Sequence, residues 1–497
     1  MISMKYKEIL IRKYNYIIGY IGVILLGLSI ALLLPLIFLF IFGEESILVR
    51  SFLIPAVFSA LLGFIMSTPI RKGNNDSHLT LHEGGVIVVL SWLMVTFISA
   101  FPFLLSGELN FTQALFESVS GWTTTGLSVV DESEIANTLI FWRSLMQYLG
   151  GAGIAVTLLA AIIGPSGGMG LYSAEGRSDK LLPNVFKSIK LIIIIYLGYT
   201  FSGIILYMIV GMPWFDSIIH SFSALSTGGF SSRPESIGAF DSLAIELVTI
   251  ILMILGTTNF AAHHVFLRGK IKEFFKIGEI KFMFILMGIT IPVVIFVALF
   301  PLYGNFAESL RFGTFELISS ITTTGYSTGV DYDSWGSFAV FVIIVLMIFG
   351  GGAGSTAGGV KLIRIYVLFK SVVWHIQEHF LPKNIVRENY ILKPGEKFYV
   401  YQRHITQFAN FLLLYLATYI LGVLIFLAHG FQLEDSMFEF ASTLGTVGLS
   451  VGLTSPDAPL FILWTQIFGM LLGRLELYII FFAFIRIIKD IKQLVLK

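Results

Sequence analysis

Cysteine is absent from the 497 residues, which excludes disulfides, thiolate metal sites and cysteine nucleophiles. Charge is scarce too. Asp, Glu, Lys and Arg make up 13% of the chain, against roughly 25% in soluble proteins. The net charge of +1 says little as a total; its distribution matters more. In place of charge the chain carries 56% hydrophobic residues and a mean hydropathy of +0.85, the composition of an integral membrane protein.

A membrane span takes about 20 mostly apolar residues. Ten stretches qualify: 15–43, 52–70, 84–105, 138–163, 188–210, 243–267, 282–301, 337–372, 407–429 and 460–487. The first follows a basic start but lacks a small-residue cleavage site and is too long for a signal-peptide core, so it is read as a span.

Between spans 3 and 4 lies Phe116–Ser128, F-E-S-V-S-G-W-T-T-T-G-L-S. Similar stretches recur at Ile219–Ser231, Phe315–Ser327 and Phe438–Ser450, between spans 5 and 6, 7 and 8, and 9 and 10. The four copies share a glycine (Gly126, Gly229, Gly325, Gly448), a serine six residues before it and a threonine two before it. One such turn is an ordinary polar loop. Four in register, each between long apolar runs, mark one helix–loop–helix unit used four times, after an extra N-terminal helix pair. The expected units are 76–180, 181–272, 273–400 and 401–497, with the pair in 1–75.

If all four motifs lie on one side, the other side receives 27 of the 32 lysines and arginines. Positive charge marks the cytoplasmic side, so the motifs face outward and both termini are cytoplasmic. The outer side carries most of the acidic residues, among them Asp131, Glu132, Glu134, Asp331, Asp333, Glu434 and Asp435. Taken singly they read as solvated loop ends; together they concentrate cations.

Each motif opens on a segment too short to cross a bilayer, such as Thr112–Trp122 or Thr314–Ile321. It reads as a re-entrant half-helix with its negative C-terminal end toward the centre. The residues after it are non-helical at membrane depth, which is tolerated where backbone lines a water-filled path. Small side chains and a glycine permit carbonyl rings that replace the hydration shell of an alkali cation. The expected filter is Thr123, Thr124, Thr125, Gly126 and Leu127; Ser226, Thr227, Gly228, Gly229 and Phe230; Thr322, Thr323, Thr324, Gly325 and Tyr326; and Gly445, Thr446, Val447, Gly448 and Leu449. None carries a formal charge.

Two further features stand out. Gly350–Gly359 has six glycines in ten residues at mid-span, which a continuous helix disfavours at roughly 1 kcal/mol per glycine. A broken helix there suits a moving plug; the alternative is close helix packing on small residues. Arg474 is a lone basic residue in a span core, where it must face water or find a partner. Glu476 lies two residues on, on a different helix face.

These stretches resemble the Trk/Ktr/HKT potassium transporter superfamily and, within it, the TrkH-type pore subunit. The likeness covers nearly the whole chain. Phe349–Ile365, F-G-G-G-A-G-S-T-A-G-G-V-K-L-I-R-I, resembles the family's intramembrane gating loop, and Gly473-Arg474-Leu475-Glu476 its arginine in the last helix. The resemblance implies an all-α membrane fold of four pseudo-symmetric pore repeats plus two N-terminal helices, ten spans in all. It also implies a gate of Gly350, Gly351, Gly352, Gly354, Ser355, Thr356, Gly358, Gly359, Lys361 and Arg474. Glycine at all four filter positions implies potassium rather than sodium. A homodimer in the inner membrane, docked on a nucleotide-binding TrkA-type ring in the cytoplasm, is implied as well. Potassium is then substrate; no bound cofactor, nucleic acid or enzymatic activity is expected. The basic 361–407 segment suits lipid headgroups or that ring, and the resemblance favours the ring.

Rival readings rest on less. An ion-coupled symporter would need intramembrane carboxylates, and beyond Glu476 none stands out. His375, Glu378 and His379 fit an H-x-x-E-H zinc pattern, but in a basic segment without a third ligand. Gly352-x-Gly354-x-x-Ala357 imitates a dinucleotide fingerprint with no strand before it. His263 and His264 read as interfacial.

Overall fold

A computed structural model describes residues 2–71, 81–151, 153, 185–380, 382 and 388–495. The chain is mostly helical; among the described residues the strands are one hairpin, Tyr390–Lys393 paired antiparallel with Glu396–Tyr399. Among the described residues six helices are long and apolar enough to cross a bilayer: Leu10–Phe42, Ser46–Ile70, Glu83–Ser106, Ser188–Ile209, Gly278–Tyr303 and Gln402–Ala428. Their outer faces are apolar, with Phe40, Phe201 and Ile209 among the most exposed side chains, as lipid contact requires.

The N-terminal pair, Ile2–Leu33 and Ser46–Arg71, packs at backbone distance. A Cβ on Gly22 would stand 2.8 Å from the Gly63 carbonyl, and one on Gly63 2.7 Å from that of Gly22. The Ser59 hydroxyl donates across the pair to the Leu25 carbonyl at 2.8 Å. Small residues let membrane helices approach this way, since apolar burial alone does not favour helix contact over lipid.

The rest of the chain repeats one order four times: a long helix, a short helix, an extended stretch, then a second helix. The short helices are Phe111–Trp122, Trp214–Leu225, Phe306–Thr322 and Leu433–Gly445. The third starts eight residues before the expected Thr314. Asn305 stops it there, its side chain accepting from Ala307 N at 3.0 Å. Asn110 and Gln113 close a reciprocal capping box on the first, satisfying two otherwise orphaned N–H groups.

The second helices are where continuous spans were expected and the structure differs. The 337–372 stretch is interrupted as foreseen, with helix over Gly336–Ile348 and Leu362–Glu378 and non-helical backbone between. The 243–267 stretch also breaks, bending by 112° between Leu243–Thr257 and Phe260–Leu267. Asn259 caps the second piece, accepting from Ala261 N at 2.7 Å. The 460–487 stretch divides at Glu476, whose φ is +56°. Of the 138–163 stretch, helix is described over Asn137–Gly151; the remainder lies outside the described residues.

Candidate functional site: a closed ring of four backbone loops

All four short helices end the same way. The threonine two before the shared glycine is left-handed at every copy: Thr124 +55°, Thr227 +53°, Thr323 +55° and Thr446 +50°. The next residue donates its N–H five residues back to the shared serine's carbonyl: Thr125 to Ser120 at 2.9 Å, Gly228 to Ser223 at 2.8 Å, Thr324 to Ser319 at 3.1 Å and Val447 to Ser442 at 2.9 Å. Each threonine N–H bonds three residues back, to Gly121, Ala224, Ser320 and Thr443. This is the Schellman termination, which usually places glycine at the left-handed position. Threonine there costs on the order of 1–2 kcal/mol, and four copies of the strain point to use. The sequence reading assigned positive φ to glycine alone and missed the threonines.

The shared glycines follow at φ +91°, +77°, +78° and +105°. Each faces the next copy. A Cβ on Gly126 would overlap the Gly228 carbonyl, one on Gly229 that of Thr324, one on Gly325 that of Val447, and one on Gly448 that of Thr125. The contacts run first to second to third to fourth and back to first. Four segments 96 to 123 residues apart in sequence therefore close a ring in which no side chain fits between neighbours. Thr123–Thr125, Ser226, Thr227 and Thr322–Thr324 are fully buried.

In three of the four copies the serine six before the glycine ties the loop to its helix. Ser120 and Ser319 hydroxyls donate at 2.6 Å to the carbonyls of Leu127 and Tyr326. Ser442 accepts from Gly448 N at 3.0 Å. In the second copy Gln147, from the neighbouring repeat, does this work: it donates to Gly228 O at 2.5 Å and accepts from Phe230 N at 3.1 Å. One residue in the shared motif went unread. Glu117, Glu316 and Glu439 stand nine before the glycine and accept from the extended backbone beyond it.

Directly against the ring sits the glycine-rich segment between Ile348 and Leu362. It is held from three repeats. Gly352 N donates to Thr257 O at 3.0 Å and Thr356 N to Gly256 O at 3.3 Å. The Thr356 hydroxyl donates to Leu225 O and Gly256 O at 3.0 and 2.9 Å. Gly358 N donates to the Thr323 hydroxyl at 3.0 Å, and the Thr227 hydroxyl to that of Thr356 at 3.2 Å. The segment's ends clasp each other, Gly350 N to Val360 O and Val360 N to Ile348 O, at 3.0 and 3.1 Å. Lys361 folds back onto the Ala357 carbonyl. Buried Glu279 accepts from Ala353 N at 2.6 Å, a tether the sequence reading did not anticipate.

Arg474 joins this segment to the first repeat. Its guanidinium donates to Thr356 O, to the Thr124 hydroxyl at 3.1 Å, and to Gly150 O and Gly151 O at 2.7 and 3.1 Å. The pairing with Glu476 does not occur. Glu476 instead accepts from Arg364 at 2.7 Å, and the Arg364 guanidinium lies 3.9 Å over the Phe411 ring. Three of the four left-handed threonines, Thr124, Thr227 and Thr323, thus bond the segment or its arginine.

Beyond the ring, on the motif side, acidic groups exceed basic ones. Arg143 pairs with Glu117 and Glu132, Arg233 with Asp216, and Arg311 with Asp241 and Glu246. Asp333, Glu434 and Asp435 lie close together: partial burial first, then its two acidic neighbours, push the Asp435 carboxyl above its usual range. His263 is a correction. It is buried rather than interfacial, and its ring nitrogens bond Leu255 O at 2.9 Å and the Tyr199 hydroxyl at 3.2 Å across the helix bend. His375 and His379 meet edge to face, ring centroids 4.8 Å apart, and no cluster of three metal-ligating side chains occurs among the described residues.

Comparison with known proteins agrees with this geometry. The chain is 31% identical to an uncharacterised cation transporter of Methanocaldococcus jannaschii, over 93% of each chain. It is 30% identical to the Trk system potassium uptake protein TrkH of Halomonas elongata, over 94% of this chain and 98% of that one. With TrkG of Escherichia coli K12, also a Trk system potassium uptake protein, it shares 30% over 92% and 94%. The crystal structure of the potassium transporter TrkH from Vibrio parahaemolyticus superposes with a TM-score of 0.81 at 27% identity, covering 94% of this chain and 98% of that one. The family described as TrkH, cation transport protein, matches residues 52–490, and the chain belongs to that family.

Proposed function

We propose that this chain is the potassium-conducting subunit of a Trk-type uptake system in the cytoplasmic membrane. The observation that carries the reading is the closed ring. Four left-handed threonines and four positive-φ glycines bring the backbones of four repeats into contact around one axis. Backbone carbonyls in such a ring can replace the water around a dehydrated alkali cation. Thr123–Leu127, Ser226–Phe230, Thr322–Tyr326 and Gly445–Leu449 form the selectivity filter. The relatives named as potassium uptake proteins supply the ion.

Gly350–Gly359, Lys361 and Arg474 form the gate. The segment lies in the path beneath the ring, and its bonds to three repeats would hold it there. Glycine at six positions lets the backbone change conformation at low steric cost, so its displacement opens the pore without unfolding a helix. Arg474 releases or retains it. The chain works as a homodimer, and a cytoplasmic nucleotide-binding ring biases the segment from below, on the basic surface around Lys393, Lys397 and Arg403.

The test is potassium and sodium uptake by a potassium-transport-deficient strain expressing this chain, with and without a TrkA-type subunit. Potassium-selective uptake that rises with the partner is expected. Uptake indifferent to the partner would remove the docking reading, and no alkali-cation flux from inserted protein would remove the pore.

A further inference from the structure

The four loops are held on their outer side by carboxylates, and the four are not alike in charge. In the first repeat, Glu117 accepts from Val129 N at 2.6 Å and the Ser128 hydroxyl at 2.8 Å, and pairs with buried Arg143 at 3.1 Å. In the second, the glutamate position is His220, bonded to the Ser231 hydroxyl at 3.0 Å. The carboxylate moves one helical turn back to Asp216, which accepts from Ser232 and pairs with Arg233 at 2.9 Å. Each of these two carboxylates has its own arginine.

The third and fourth repeats lack one. Glu316 is fully buried and accepts from Thr328 N at 2.7 Å, the Thr328 hydroxyl at 2.8 Å, the Ser327 hydroxyl at 3.3 Å and the Tyr332 hydroxyl at 2.5 Å. Glu439, equally buried, accepts from Val451 N at 3.2 Å, Thr454 N at 3.1 Å, the Ser450 hydroxyl at 2.9 Å and the Thr454 hydroxyl. Both Glu439 oxygens thus face a backbone N–H, a group that only donates, which fits the ionised form. Among the described residues no lysine or arginine pairs with either glutamate. A buried carboxylate held by neutral donors leaves its charge uncompensated, which is costly unless an opposite charge comes near.

We propose that Glu316 and Glu439 are specificity-determining residues: each fixes the outer strand of its filter loop and contributes bare negative charge that the permeating cation offsets. This rests on the filter reading above. In the first two repeats an arginine lies directly against the loop carboxylate, Arg143 against Glu117 (and shared with Glu132) and Arg233 against Asp216, so those two carboxylates are locally paired. Ion binding is therefore uneven around the ring, tighter on the side of the third and fourth repeats.

The test uses the purified full chain in proteoliposomes, comparing Glu316→Gln, Glu439→Gln, Thr454→Val and Gly325→Ser for KM of potassium and for potassium-over-sodium preference. Either glutamine variant is expected to raise the potassium KM by about tenfold, the scale of one lost charge-assisted interaction. Thr454→Val keeps the charge and removes one donor, so it should weaken selectivity while moving KM by less than about twofold. Should the glutamine variants fail to insert, Ser450→Ala and Ser327→Ala are expected to lower selectivity in the same sense. Wild-type KM and selectivity in inserted glutamine variants would overturn the proposal, as would a Thr454→Val KM change as large as theirs. If Gly325→Ser alone shifts selectivity, the filter stands and the carboxylate role falls. If none of the variants shifts it, the filter reading itself falls.

Discussion

The two ends of the central assembly are built on opposite principles. At the ring the backbone pattern comes four times: a left-handed threonine, a positive-φ glycine, and the same pair of helix-ending hydrogen bonds. At the glycine-rich segment nothing does. The interruption belongs to the third repeat, the 112° bend that receives it to the second, and the arginine that pins it to the fourth. Backbone symmetry suits a site that must close around an ion from all four sides, even where the groups supporting each loop differ in charge. A plug must instead have one hinge and one release, and a single-copy contact can be broken without disturbing the other three quarters. The threonine hydroxyls are where the two regimes meet, since Thr124, Thr227 and Thr323 end the symmetric helices and also bond the asymmetric segment.

That division can be broken from either side. The largest effect is expected from Gly325→Ser. Its φ of +78° and the Val447 carbonyl leave no room for a Cβ. A side chain in left-handed backbone costs about 1–2 kcal/mol, enough to lower potassium-over-sodium preference by about tenfold; competitive uptake of the two ions measures it. Next is Arg474→Ala, which removes hydrogen bonds to four oxygens. Bonds to a charged donor are worth about 1.5–3 kcal/mol each, so uptake in the absence of a regulatory partner should rise by roughly tenfold or more, with selectivity unchanged. Thr356→Val keeps the shape and deletes the hydroxyl's bonds to Leu225 and Gly256. A net loss of about 1 kcal/mol is a several-fold rise in the same assay. The smallest is Glu476→Gln, since glutamine still offers Arg364 a hydrogen-bond acceptor in place of the carboxylate, so the net loss is about 1 kcal/mol or less. A change of two- to threefold in partner-dependent uptake is expected, with none in selectivity.

The same division explains what the sequence made legible. The ring loops could be found because self-similarity is itself a signal: Ser120, Thr124 and Gly126 recur in register at three other places, and the ring closes through those positions. The interruption at Gly350–Gly359 was legible because glycine density has a local meaning. Its contacts were not. Glu279 bonds Ala353 across 74 residues and Arg474 bonds Thr124 across 350, and no spacing rule links such pairs. The bend at Thr257–Phe260 was missed because both halves are apolar and hydropathy is blind to direction. Only the cap at Asn259 marks it. The glutamates lay in plain view beside the phenylalanine of three motif copies. Their role depends on an extended segment that folds back to them, and the histidine at the second copy hid the pattern.

The most direct test sets the two single variants side by side: potassium and sodium flux per inserted molecule in proteoliposomes for Gly325→Ser and Arg474→Ala. A symmetric filter above an asymmetric plug predicts a clean split, with Gly325→Ser changing ion preference and Arg474→Ala changing only the amount of flux. If Arg474→Ala altered ion preference as much as Gly325→Ser, or if neither variant altered flux of either ion, ring and segment would not be filter and gate.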